Sequence, residues 1–280
     1  MSLHQIKADL CSIWGSDRAS AQAAWASSFE KEFAEAKTDA DVRRVVTGVV
    51  KLHHDTPKER VWMEFFMTAP IFIERQYDKY RMTVQFQDFE VTYYLAPFAR
   101  DGITQNELSG RYRTIPDRPY GMPKDVADIL GAAAEYAIEG MGAVPTQDQG
   151  ELEVQAWQAR LEEQHQWYQA RLTMLRDAQA AGRISNAEYK RAREVLRGVL
   201  GTAFLTDMRV VLNMNAFEHI VCQRLAQESQ LEARVMAYHM IKAVQASGNV
   251  PVLIEEMIQA NGWEPLMNDV KYHLSGECPT

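Results

Sequence analysis

With 280 residues, 46% of them hydrophobic, the chain holds enough apolar material for a substantial core in one large domain or two modest ones. A formal charge of −8 argues against nonspecific attraction to nucleic acid, yet it leaves room for a local basic pocket that takes a small phosphate ester. The three cysteines, Cys11, Cys222 and Cys278, form no CxxC pair; neither a zinc ribbon nor a disulfide scaffold is expected, no metal site is predicted, and a reducing cytoplasm fits. No signal peptide is recognised and no run of about 18 apolar residues is present, so no membrane association is expected.

In chain order, residues 17–34 and 38–50 read as helices, and Lys51 to Pro57 reads as a loop in which Pro57 can begin a new helix. From Val61 to Arg81 the sequence is rich in Phe, Ile, Met and Tyr, and fits either a buried helix or a strand leading into the polar pair Arg75 and Gln76. Residues 84–95 carry the β-branched and aromatic residues of a strand, with Pro97 as its boundary.

The stretch GITQNELSGRYRTIP, residues 102–116, follows. Gly110 permits close approach of backbone to a ligand, Arg111 offers a donor fork for phosphate oxygens, and Ser109 can donate from its hydroxyl. A solvated turn with an incidental arginine is the competing reading.

The second half is strongly helical. In 152–175, Val154, Trp157, Leu161, Tyr168, Leu172 and Leu175 recur at helical spacing beside a charged face. This predicts a long arm or hairpin over 151–182, with Gly182 as a break before a helix from Asn186 to Leu200. The Trp and Tyr side chains there read as core or subunit-contact residues rather than cofactor stackers. No internal repeat and no clean linker divides the chain, so residues 1–280 read as a single domain.

Arginines recur beside apolar positions in several polar clusters, and a buried guanidinium needs an anion or a structural carboxylate. Glu107, Glu194 and Glu228 are the candidates for such structural pairing. Taken together, TPKER at 56–60, APIFIERQYDKYR at 69–81, NELSGRY at 106–112, and Asn213 to Arg224 followed by Gln230, Glu232 and Arg234 resemble, in order and spacing, the motifs of the flavin-dependent thymidylate synthase family.

That resemblance implies an α/β (α+β) fold with helices around a mixed sheet. It also implies a homotetramer that binds FAD and a uridine monophosphate between subunits, with methylenetetrahydrofolate and NADPH as co-substrates. By the resemblance, Gln76, Glu107, Ser109, Gly110, Arg111, Arg197 and Arg224 surround the nucleotide, and Arg224 is the catalytic residue beside the pyrimidine. Ser28, Thr56, Lys79, Tyr80, Arg81, Glu107, Asn213 and His219 fall on the flavin and folate side. Uracil C5 attacks carbon poorly unless negative charge develops on the ring, which an arginine aimed at the base stabilises. The redox and one-carbon chemistry belongs to the cofactor.

The chain also departs from the family pattern. KYR at 79–81 stands where the family has RHR, residues 83–102 form an insertion, and His219 and Glu228 replace other residues near the flavin. These departures favour, narrowly, a specialised C5 methylase of UMP like the family's antibiotic-pathway branch over an ordinary dUMP-using thymidylate synthase. A hydroxymethyl product and a catalytically silent helical assembly protein are the remaining alternatives.

Overall fold

The computed structural model describes residues 2–26, 37–78, 103–107 and 117–275. The predicted strand at 84–95 and the insertion at 83–102 lie outside them. The chain divides into two compact units, one holding Met1–Gln5, Ala69–Phe72 and Leu108–Thr206, the other Ile6–Thr68, Ile73–Glu107 and Asp207–Thr280.

Among the described residues β1 (Lys7–Trp14), β2 (Trp62–Pro70), β3 (Ile103–Glu107) and β4 (Leu205–Asn213) form a sheet in the order β1-β2-β4-β3. The pairs β1/β2 and β3/β4 are antiparallel, and a register shift between Leu10 and Ser12 marks a bulge in β1. In β2, Met63, Phe65, Met67 and Ala69 are buried at every second position, the signature of a strand with one face in the core. The ambiguous segment 61–81 is described as far as Asp78 and there holds both elements, strand β2 followed by helix α4 (Ile71–Asp78).

The larger unit is covered by helices α1 (Asp17–Trp25), α2 (Asp39–Lys51), α3 (Asp55–Lys58), α8 (Met214–Arg224), α9 (Leu231–Ser247), α10 (Pro251–Ala260) and α11 (Trp263–Ser275). Helix α3 already starts at Asp55, so Pro57 sits inside it rather than opening it, and the predicted loop shrinks to Leu52–His54. The expected helix 17–34 is described only as far as Trp25. Helix α9 packs on β1, α8, α10 and α11, and buries Ala233, Val235, Met236, Ala237, Met240, Ile241 and Val244. A helix apolar around most of its circumference belongs at the centre of a core. Phe217 of α8 stacks on Phe65 at 6.3 Å and meets Trp263 edge-on at 6.4 Å, which ties helix layer to sheet.

The other unit is built on α5 (Lys124–Gly140), α6 (Gln149–Ala180) and α7 (Asn186–Leu196), the last followed by a 3-10 turn, Arg197–Val199. The expected arm is therefore one 32-residue helix, and the expected helix to Leu200 changes pitch after Leu196. Leu161, Tyr168 and Leu172 form its buried stripe with Leu200, Ala203 and Phe204, and Trp157 packs against them. The Trp157 indole donates to the Tyr120 carbonyl at 2.8 Å, so Tyr168 and Trp157 are core residues as expected. Gly182, at φ +68, turns the chain between α6 and α7 in the left-handed region, and a Ser185–Glu188 capping box starts α7.

Candidate active site

The C-terminal ends of α4 and α8 meet. Arg224, the last residue of α8, donates from Nη2 to the backbone carbonyl of Gln76 at 3.0 Å, with Nη1 3.5 Å from the Gln76 side-chain oxygen. The Gln76 amide nitrogen in turn donates to Gln230 Oε1 at 2.8 Å, just before α9 begins. Tyr77 pins the same helix by donating its hydroxyl to the Ala233 carbonyl at 3.1 Å. A cation at a helix C-terminus is stabilised by the carbonyl ends there. The arrangement sets a half-buried guanidinium in fixed orientation beside two primary amides, a donor-rich corner suited to an oxygen-bearing planar ligand. Arg234, four residues beyond Gln230, is committed elsewhere: it is buried and pairs with Asp269 at 2.6 Å.

The other end of α8 is organised differently. Asn213 closes β4 and caps α8, its side-chain oxygen accepting from the Ala216 N–H at 2.8 Å while the residue is buried. His219 lies on the exposed face one turn on, within 2.9 Å of the Gln223 amide. Thr56 is exposed on α3, which is fastened to α8 by a buried Lys58–Glu218 ion pair. The second Glu218 oxygen accepts from Asn261 Nδ2 at 2.8 Å, so both carboxylate oxygens are satisfied. Nothing in the sequence reading pointed to this pair.

Glu107 ends β3 opposite Met208 of β4, whereas Asn213 is five residues further along β4. At about 3.4 Å per residue these two positions stand roughly 17 Å apart along the sheet. Asn213 and Arg224, at the two ends of α8, are separated by about 16 Å of helix rise. Within one subunit the expected flavin residues Glu107 and Asn213 are therefore not brought together, while Gln76 and Arg224 are.

Arg197 belongs to the other unit and is exposed on the 3-10 turn. One turn earlier, Arg193 buries its Nε and Nη2 without a hydrogen-bond partner. Unsatisfied guanidinium nitrogens are costly to bury, and an anion relieves the cost. Both arginines were visible in the REVLRG run at 193–198, but the burial that sets Arg193 apart was not. Ser28, Lys79, Tyr80, Arg81, Ser109, Gly110 and Arg111 lie outside the described residues. Among the described residues no cluster of three metal-ligating side chains occurs, and no helix is long and apolar enough to cross a membrane.

The profile of the family described as "Thymidylate synthase complementing protein" matches residues 9–248. A flavin-dependent thymidylate synthase from Streptomyces avermitilis is 26% identical over 203 residues, covering 71% of this chain and 66% of that relative. The chain thus spans just under two thirds of that relative's length. Two crystal structures of a UMP/dUMP methylase, PolB, from Streptomyces cacaoi share the fold at 21% identity. The one bound with 5-Br dUMP has a TM-score of 0.64 and covers 92% of this chain and 96% of its own. The one bound with 5-Br UMP has a TM-score of 0.57 and covers 92% and 95%. The α/β architecture and the motif order seen here thus stand inside a matched span of most of the sequence, and the chain belongs to the thymidylate synthase complementing protein family, the flavin-dependent class of thymidylate synthases.

Proposed function

We propose that this protein is a cytoplasmic, flavin-dependent methylase acting on C5 of a uridine monophosphate, with UMP as the preferred nucleotide and methylenetetrahydrofolate as carbon donor. The observation that carries the reading is the Arg224–Gln76–Gln230 corner, a cation and two amides held in fixed mutual orientation. Family membership and likeness of fold to a UMP/dUMP methylase support it.

In this reading Arg224 is the catalytic residue. Its guanidinium faces the pyrimidine and stabilises negative charge spreading over the ring as C5 attacks carbon. A preorganised donor of this kind contributes about 3–4 kcal/mol to barrier lowering. Gln76 holds Arg224 through its carbonyl and offers its amide to the base. Glu107, Ser109, Gly110 and Arg111 bind the sugar and phosphate. On the α7 side Arg197 was the expected anion ligand, and the unpartnered nitrogens of Arg193 make it the better fit.

The donor set also suits FAD. Thr56 and His219 expose a hydroxyl and an imidazole on α3 and α8, with Asn213 at the head of α8. Ser28, Lys79, Tyr80, Arg81 and Glu107 complete the flavin and folate side. FAD supplies the redox step, with NADPH as reductant. The separation of Glu107 from Asn213 along one subunit's sheet supports sites shared between subunits of a homotetramer.

Purified protein tests this directly. The reading expects a bound flavin absorption spectrum and calorimetric binding of UMP tighter than that of dUMP. Protein that takes up neither FAD nor either nucleotide contradicts it.

A further inference from the structure

Helix α3 is a single turn of four residues, and little in its own sequence holds it. No side chain caps its start, and one turn is far below the length at which a helix stands alone. The chain approaches it through His53, whose φ of +52 lies in the left-handed region. A non-glycine residue keeps that conformation only where surrounding contacts impose it.

Lys58 makes such contacts. It is 1% exposed, and its ammonium pairs both with Glu218 on α8 and with Asp55, the first residue of α3, at 3.0 Å. One ammonium thus ties the two ends of the turn together and anchors them to α8. Glu218 is itself held, since its other oxygen accepts from Asn261 Nδ2 at 2.8 Å and the same nitrogen donates to the Met257 carbonyl of α10 at 3.1 Å. Just past α3, the Val61 carbonyl accepts from the Met214 N–H at the head of α8, at 2.8 Å. The turn is therefore registered on α8 at two points, by an ion pair and by a backbone hydrogen bond.

Between Asp55 and Lys58 stands Thr56, whose exposed hydroxyl belongs to the proposed flavin side. Asn213 and His219, assigned to the same side, flank Glu218 on the α8 segment. A buried ion pair is a weak source of stability, because apolar groups of similar volume do as well. It differs from an apolar contact in having direction, which is what a residue presenting a ligand-binding hydroxyl needs.

We propose that Lys58 is a positioning residue for flavin binding: by bridging Asp55 and Glu218 it fixes the orientation in which α3 presents Thr56 beside α8. The inference rests on the assignment of Thr56 to the flavin side. Lys58 itself touches no reacting group and acts through Thr56.

The variant Lys58→Met/Glu218→Leu removes both charges of the buried pair and leaves neither alone, and urea unfolding checks that it folds. Its affinity for FAD, read by flavin fluorescence on titrating the full chain, is expected to fall by about tenfold. Thr56→Ala is expected to weaken FAD binding severalfold in the wild-type background and to add nothing in the pair variant, as for two changes acting through one contact. Hydrogen exchange without flavin gives a second reading. The Glu59 and Val61 amides, which bond back to the Asp55 and Lys58 carbonyls at 3.3 and 3.2 Å, are expected to exchange about tenfold faster in the pair variant. A pair variant that binds FAD as wild type does, or in which Thr56→Ala costs as much as in wild type, overturns the proposal and leaves the flavin assignment standing. Unchanged exchange of the two amides overturns it as well, because the turn then holds without Lys58. Wild-type protein that takes up no FAD overturns the flavin assignment and this inference with it.

Discussion

Arg224 and Gln76, 148 positions apart in sequence, are joined by a guanidinium-to-carbonyl hydrogen bond of 3.0 Å between the ends of two helices. The bond fixes the direction of the arginine before any ligand arrives, which is what electrostatic stabilisation of a transition state requires. Replacing Arg224 by Ala is expected to lower kcat by about 10²–10³ with little change in thermal stability. Arg224→Lys keeps the charge but loses the planar fork, and recovers only part of the rate. Steady-state turnover of the two variants, with circular dichroism as the folding control, checks this; wild-type turnover in Arg224→Ala removes Arg224 from catalysis.

Arg193 on α7 and Arg197 on the 3-10 turn that follows it are expected to separate by function. Arg193 buries two nitrogens without partners, and Arg197 is exposed. Arg193→Ala should raise the Kd for the nucleotide by about tenfold or more, as expected for loss of a charge-assisted hydrogen bond worth about 1.5–3 kcal/mol. Arg197→Ala should change it less. Calorimetric titration of both variants with UMP decides it, and the reverse order returns the role to Arg197.

Lys58 and Glu218 form the buried fastening between α3 and α8. Glu218→Ala removes the buried partner of Lys58 and leaves its ammonium only the exposed Asp55 carboxylate at 3.0 Å, a change expected to cost up to about 3 kcal/mol. The double variant Lys58→Met/Glu218→Leu replaces both charges by apolar groups and should be near wild type in stability, because a buried ion pair gains little over good apolar packing. Urea unfolding of the three proteins measures this. A double variant as unstable as Glu218→Ala would mean that the pair is not the source of the loss.

These residues also mark what the sequence made legible. The stripe of α6 was readable because its spacing is that of a solvent-backed helix. Segment 61–81 was not, because a short apolar run fits helix and strand alike until the alternating burial of Met63, Phe65 and Met67 is known. Strand β1 escaped because its bulge between Leu10 and Ser12 breaks the two-residue period. At the site, motif spacing brought out Gln76 and Arg224, which do meet. It placed Glu107 and Asn213 on the flavin side of a site shared between subunits, and within one subunit the sheet register sets the two positions apart. Arg193 and the Lys58–Glu218 pair went unnoticed because burial and long-range pairing have no local sequence signal.

Asp17 joins α1 to α10: its carboxylate accepts from the Val252 and Leu253 N–H groups, each at 2.9 Å. Burial pushes its pKa above the ordinary 3.8, and the two backbone hydrogen bonds only partly offset this. With the folded value raised, the titration contributes stability that is full below pH 3.8 and lost as pH rises through the folded value. Asp17→Asn turns an amide donor toward one of those N–H groups and should destabilise by about 1–3 kcal/mol. Since Asn does not titrate, the gap between wild type and variant should be wider below pH 3.8 than at neutral pH. Denaturant midpoints at the two pH values check the sign, and a gap that narrows on acidification contradicts it.

The most direct measurement is a side-by-side assay of UMP and dUMP with FAD, NADPH and methylenetetrahydrofolate, read by the mass of the nucleotide product. The account predicts gain of one methylene equivalent, faster on UMP. A faster gain on dUMP contradicts the UMP preference, a hydroxymethyl mass contradicts methylation, and no gain on either nucleotide contradicts the proposed enzyme.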